Sequence, residues 1–263
     1  MNEQDLTSRL ELALAASLEA GAITLRYFQS DDLQIDWKED ASPVTEGDRQ
    51  SEQALRQRIF DAFPTDGILG EEFGEEAGTS GFRWILDPID GTASFIHGVP
   101  LYGTLVGVEF EETSVLGVIN VPALQECVYA AKGQGAWHQR GSGELKRAQV
   151  SQCERLDQAL FLTSEVEGFE AVDRWSTLEK LQAATQRTRT WGDCYGYLLV
   201  ATGRADVMVD PRMNVWDAAA LQPILEEAGG SFTDWQGVAT IHSGEGVATN
   251  GRILEEVLQI TRS

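Results

Sequence analysis

The chain has 263 residues, enough for one large domain or two close-packed lobes. Its 42 acidic and 20 basic residues give a formal charge of −22, which argues against a nucleic-acid backbone or an anionic membrane as partner, since both want a basic face. Cys127, Cys153 and Cys194 are widely spaced and fit buried thiols in a reducing compartment, not a disulfide framework or a zinc site. No apolar run is long enough to span a bilayer and the N-terminus is not signal-like, so the expectation is a cytoplasmic protein.

Leu6, Leu10, Leu14, Leu18, Leu25 and Phe28 recur at helical spacing, with Asp5, Glu11 and Glu19 off that stripe. The spacing predicts an amphipathic helix that packs through its leucines. Residues 36–48 read as a polar loop in which Lys38 is solvated. Thr45 or Asp48 caps a second helix, which carries Ala54, Leu55, Ile59 and Phe63 inward. Gly67 to Leu69 predicts a short strand that runs through Gly70 into Glu71 and Glu72; a solvated acidic loop is the plainer reading of that pair. Trp84 to Leu86 predicts a buried strand that ends on Asp87. Pro88 lacks a ladder donor, so the strand is expected to stop there. Gly91 permits a tight turn and Thr92 can begin a helix, whose free N–H groups suit an anion. Asp87 and Asp90 then sit at the mouth of a sheet beside a phosphate-ready helix start, a setting for a divalent metal and phosphate together. Asp-Pro and Asp-Gly are also ordinary turn dipeptides, so this stretch alone does not decide.

From Tyr102 to His138 short β-branched and aromatic runs alternate with turn signals, which predicts an antiparallel meander. Gly141–Gly143 marks a loop that divides an α+β lobe (1–143) from an α/β lobe (144–263), the whole forming one domain. Beyond Ser151, strands are expected at 160–163, 188–191, 205–210 and 231–233, and helices at 169–184, 194–202, 215–228 and 253–260. Asp217 falls in the first turn of a helix, where it either complements the helix dipole or serves as a third metal carboxylate. Asp193 precedes a helix and Asp210 ends a strand, and spacing assigns neither to a ligand. His97 and His138 are isolated and read as structural.

Taken together, Gly70-Glu71-Glu72, then Asp87-Pro-Ile-Asp-Gly-Thr92, then Trp216-Asp217 and Glu227-Ala-Gly-Gly230 resemble the inositol-monophosphatase-like family over nearly the whole chain. Within it, Ser94-Phe95 with Gly98–Leu105, and Arg189–Tyr197 running into Ala201–Asp206, look most like the histidinol-phosphatase branch. Ala93 departs from that branch, which commonly has a basic residue there. The resemblance implies an α/β fold, the layered αβαβα sandwich of this family, and a homodimer. It implies a phosphomonoester substrate and two or three Mg²⁺ ions, which screen charge and activate water. Glu71, Asp87 and the Ile89 carbonyl would hold the first ion; Asp87, Asp90 and Asp217 would hold the second. Thr92 would orient the attacking water, with Asp48 and Glu72 as proton acceptors. Gly91 and Thr92 N–H groups would grip phosphate, and Asp193 and Asp210 would meet a cationic leaving group. The rivals are an inositol-1-phosphatase or another sugar or nucleotide phosphatase, and, in a different class, a non-catalytic metal- or phosphate-binding regulator.

Overall fold

In a computed structural model the chain forms five layers, and residues 2–39 and 41–263 are described. Met1 and Asp40, the latter inside the stretch read as a polar loop, lie outside the described residues. The outer layer is α1 (Glu3–Thr24) and α2 (Glu46–Ala62). A ribbon of β1 (Ile35–Trp37) and β2 (Pro43–Thr45) joins them, where the sequence suggested only a loop. The second layer is an eight-stranded sheet of β3 (Gly67–Gly70), β4 (Gly74–Glu76), β5 (Phe82–Asp90), β6 (Gly103–Phe110), β7 (Thr113–Val121), β8 (Glu126–Ala131), β9 (Gly135–Arg140) and β10 (Lys146–Arg147), ordered 10-9-8-7-6-5-3-4. From β5 to β10 it is the antiparallel meander, and β3 lies parallel to β5. The short α3 (Thr92–Ile96) follows β5.

The five-stranded second sheet contains β11 (Leu160–Leu162), β12 (Arg187–Arg189), β13 (Val207–Asp210), β14 (Ser231–Thr233) and β15 (Gly246–Thr249), ordered 12-11-13-15-14. Its outer face carries α4 (Glu167–Ala171), α5 (Trp175–Ala184) and α9 (Leu254–Thr261). Between the two sheets lie α6 (Cys194–Ala201), α7 (Val215–Ala218) and α8 (Leu221–Glu227). Period-2 alternation builds these layers: Trp84 and Leu86 face α1 and α2, whereas Ile85 faces the central helices. Likewise Met208 points to the central layer while Val207 and Val209 point to the outer one.

Four local expectations change. In α1 the buried face is Leu6, Leu10, Ala13, Ala16 and Ala20, whereas Leu18 and Leu25 are exposed. Small residues win that face because they let the helix lie close to its neighbours, a preference that leucine spacing does not reveal. β5 does not stop at Pro88 but continues to Asp90, with a register shift between Asp87 and Asp90. The bulge absorbs the missing donor, and the Pro88 carbonyl accepts from Thr104 Oγ1 at 2.9 Å. The helix expected at 169–184 breaks where Asp173 adopts φ +58°. The one expected at 215–228 breaks after Ala218. That second break rests on bare backbone: a Cβ at Gly107 would lie 2.6 Å from the Ala219 Cβ, and one at Gly117 would lie 2.1 Å from the Ala220 carbonyl oxygen. Ser114 Oγ donates to the Ala219 carbonyl at 2.9 Å.

Candidate active site

Three elements bring the acids together at one end of the first sheet. Parallel pairing of β3 with β5 aligns Gly70 with Leu86, so Glu71, just past the end of β3, stands level with Asp87 on β5. The bulge after Asp87 carries Asp90 onward, and α7 brings Asp217 from the second half of the chain. Oxygens of Asp87, Asp90 and Asp217 all lie within 4.8 Å of one another. Backbone donors fix each of them: Ile89 N–H to Asp87 Oδ1 at 3.0 Å, Cys194 N–H to Asp90 Oδ2 at 2.6 Å, and Asn214 N–H to Asp217 Oδ2 at 2.6 Å. The Asp217 bond is half of an N-terminal capping box on α7, so this residue caps its helix and also faces the cluster.

Burial and mutual repulsion push these carboxyls upward. Asp87 and Asp90 are raised well above the usual range, first by desolvation and then by neighbouring acids; Asp217 is raised to about 7 by the same causes. Asp87 feels the charges of Glu71, Asp90 and Asp217 together, which makes it the centre of the group. Carboxyls this close are stable together only when they share protons or hold a cation between them. The donor set is all oxygen, buried and crowded with negative charge, and it fits a hard divalent cation. The Ile89 carbonyl accepts from Thr92 Oγ1 at 3.0 Å, which leaves one of its lone pairs for a ligand.

Asp48 is 1% exposed at the start of α2, and its carboxylate accepts from Thr45 N–H at 2.7 Å and Thr45 Oγ1 at 2.5 Å. Thr45 is the N-cap and Asp48 completes the capping box. Desolvation raises Asp48 to about 7, opposed by the Thr45 bonds and aided by the charges of Glu72 and Glu71. Lys38, expected to be solvated, donates from Nζ to Glu71 and Glu72 at 2.7 Å each. Nothing in the sequence pointed to it, because its partners lie more than thirty residues away.

Thr92 is the first residue of α3, and Gly91 caps that helix at φ +83°. A packed aromatic group of Phe28, Phe95 and Tyr102 anchors α3 from below, Phe95 and Tyr102 meeting edge-to-face at 4.8 Å. Above it, a Cβ at Gly91 would sit 2.6 Å from Asp193 Oδ2. Asp193 holds φ +33°, a strained conformation for a residue with a side chain, and its carboxyl is raised to about 7 by desolvation and by Asp210 and Glu165. With Asp90, Asp210, Asp217, Glu165 and the exposed Arg212 it lines a cleft. Asp210 is not a free rim carboxylate. It accepts from Thr163 Oγ1, from Ser164 N–H and Oγ, and from the Tyr197 hydroxyl, which use its four lone pairs. Its geometry is that of an anchor for the cleft wall, and its site was visible in sequence while its partners were not. His97, His138 and His242 are bonded elsewhere, to the Ala93 carbonyl, Glu126 and Glu109.

The profile of the Inositol monophosphatase family matches residues 5–263. The chain belongs to that family. A histidinol-phosphatase from Chlorobaculum parvum is 46% identical over 93% of this chain and 92% of its own length. One from Mycobacterium tuberculosis is 40% identical over 95% and 96%. Among solved structures, an inositol monophosphatase from Zymomonas mobilis is 35% identical with a TM-score of 0.86, covering 98% of both chains. The layered sandwich is therefore the family fold, and the chain is a phosphoric monoester hydrolase of a Mg²⁺-dependent family. Among the described residues no helix is long and apolar enough to cross a membrane.

Proposed function

We propose that this enzyme hydrolyses L-histidinol phosphate to L-histidinol and inorganic phosphate. The observation that carries the reading is Asp193: a carboxylate held against Gly91, beside the short helix start where phosphate would sit. A substrate with an ammonium group a few bonds from its phosphate suits that pair of neighbours. The names of the relatives at 46% and 40% identity support the same substrate.

Glu71, Asp87, Asp90, Asp217 and the Ile89 carbonyl would hold two Mg²⁺ ions, with Glu71 or Glu72 helping to hold a third. Bound Mg²⁺ supplies charge neutralisation and water activation. The protein's part is positional. Thr92 Oγ1 orients the water, and Asp48 with Glu72 takes or relays its proton. The Gly91 and Thr92 N–H groups hold the phosphate in line, and Asp193 binds the ammonium. A carboxyl near 7 suits Asp48 to accept and release a proton at neutral pH. We extend the reading to a homodimer, on the family resemblance alone.

The test is phosphate release from histidinol phosphate, inositol 1-phosphate, fructose 1,6-bisphosphate and 3′-phosphoadenosine 5′-phosphate, with Mg²⁺ and with EDTA. EDTA-sensitive preference for histidinol phosphate is expected. Preference for inositol 1-phosphate would keep the chemistry and move the substrate to the activity named for the Zymomonas mobilis relative. Asp90→Asn should lower kcat by at least about 100-fold with little change in melting temperature, because it removes a charge from the cluster and keeps its shape. Near-parent turnover would overturn the ligand assignment.

A further inference from the structure

Glu52 lies in α2 and belongs to none of the motifs that carry the site. It is 0% exposed. Its Oε2 accepts from the Glu72 N–H at 2.7 Å, and its Oε1 from the Phe73 N–H at 3.2 Å and from Arg56 Nε at 2.8 Å. Glu71, Glu72 and Phe73 are the three loop residues between β3 and β4, whose last pair is Gly70 with Gly74. The Glu71 N–H donates to the Leu86 carbonyl at 3.2 Å. Every amide of the loop is thus fixed, two of the three by one side chain from another element. Arg56 completes the clamp from the far side, donating to the Gly74 carbonyl and, at 2.9 Å, to Glu76. Gly70 is required by the same contact: a Cβ there would lie 2.0 Å from Glu52 Oε1.

We propose that Glu52, charge-balanced by Arg56, is the positioning residue that aims Glu71 and Glu72 into the metal site. The inference rests on the metal reading of Glu71. A third buried acid beneath two others is electrostatically costly, and the arrangement explains it. Both oxygens of Glu52 must accept, so a carboxylate is needed and an amide will not serve. Glutamine at this place would turn an NH₂ group toward a backbone N–H, donor against donor. Arg56 absorbs the charge of Glu52 locally, so Glu52 adds no net charge of its own beneath Glu71 and Glu72, which also face the Lys38 ammonium.

The experiment compares the parent, Glu52→Gln and Arg56→Met with Asp66→Asn. Asp66 is another buried acid, which accepts from Arg9, Trp84 and Ser80 away from the loop. Calorimetric titration of Mg²⁺ into metal-stripped protein gives affinity, hydrogen exchange of the segment 70–76 gives loop order, and kcat is read at saturating Mg²⁺. Glu52→Gln is expected to weaken Mg²⁺ at least fivefold and to speed exchange at Glu72 and Phe73. Its kcat at saturating Mg²⁺ should fall as well, because the clamp also places Glu72, whereas that of Asp66→Asn should stay within about threefold of the parent. Arg56→Met should move the same readouts less, and it decides the matter if Glu52→Gln does not fold. Asp66→Asn should lose melting temperature only. Unchanged affinity and exchange in both clamp variants would reduce Glu52 to a stability role and overturn the proposal. A parent that binds no Mg²⁺ would overturn the metal reading, and with it the aim of the clamp, whatever the exchange data show.

Discussion

Asp193 combines strain and charge in one residue, and the proposed function adds selectivity to them. Its φ of +33° suits glycine, and its carboxyl is raised to about 7 by burial and by Asp210 and Glu165. Asp193→Gly should therefore stabilise the fold while harming the substrate contact. Relief of roughly 1–2 kcal/mol of backbone strain corresponds to a rise of a few degrees in melting temperature for a chain of this size. The KM for histidinol phosphate should rise severalfold more than the KM for a neutral sugar phosphate. A variant with lower melting temperature, or with equal KM effects on both esters, would count against this account. Lys38 is the opposite kind of residue, since its pairing with Glu71 and Glu72 exists only in three dimensions.

At the scale of elements, the capping box of α2 holds the carboxyl that the proposed function places in the proton path. Thr45 holds Asp48 by two bonds to its charged form, and those bonds oppose the upward push of burial. Thr45→Val removes the hydroxyl bond and leaves the N–H bond. Asp48 should then titrate higher, so the acid limb of the kcat/KM profile should move to higher pH, with about 1 kcal/mol of helix stability lost as well. A profile that stays in place would remove Asp48 from the proton path.

The motif acids were legible in sequence because Pro88 follows Asp87, Gly91 follows Asp90, Gly70 precedes Glu71, and Asp217 falls in the first turn of a helix. The meander was legible because turn residues separate its runs. The bulge at Pro88 was not, because one proline reads as a stop whether or not a neighbouring hydroxyl serves its carbonyl. β15 went unseen because Gly246–Thr249 is too short and plain to stand out. The alanine face of α1 and the break after Ala218 were hidden for a common reason. Both are set by how closely a neighbouring element approaches, which side-chain hydrophobicity does not encode. Glu52 and Tyr197 were missed because each acts on a residue distant in sequence.

For the whole molecule, crowded acids make stability depend on pH in a set direction. Without metal, Asp48, Asp193 and Asp217 sit near 7 in the folded chain against an ordinary 3.8. Between those values the folded chain holds protons that the unfolded chain has released, so their stabilisation is complete below the lower value and is lost as pH rises through about 7. The formal charge of −22 adds self-repulsion of the same sign. In EDTA the protein should melt several degrees higher at about pH 5.5 than at about pH 7.5. Saturating Mg²⁺ should flatten or invert that difference, since an ion takes the place of the protons. A melting temperature that rises with pH in EDTA would show that the acids are not crowded in the free protein.

The seat of Ala219 and Ala220 on Gly107 and Gly117 has a thermal consequence. Asp217 stands just before that seat, and Asp87 and Asp90 stand on the strand beside it. Side chains loosen and hop between rotamers as a protein warms, so a spacing set by them drifts. A spacing set by main chain resting on main chain has no such slack. The span between the acids of the two halves should hold its length on heating until the sheets themselves part, and the enzyme should fail abruptly at its melting point instead of fading before it.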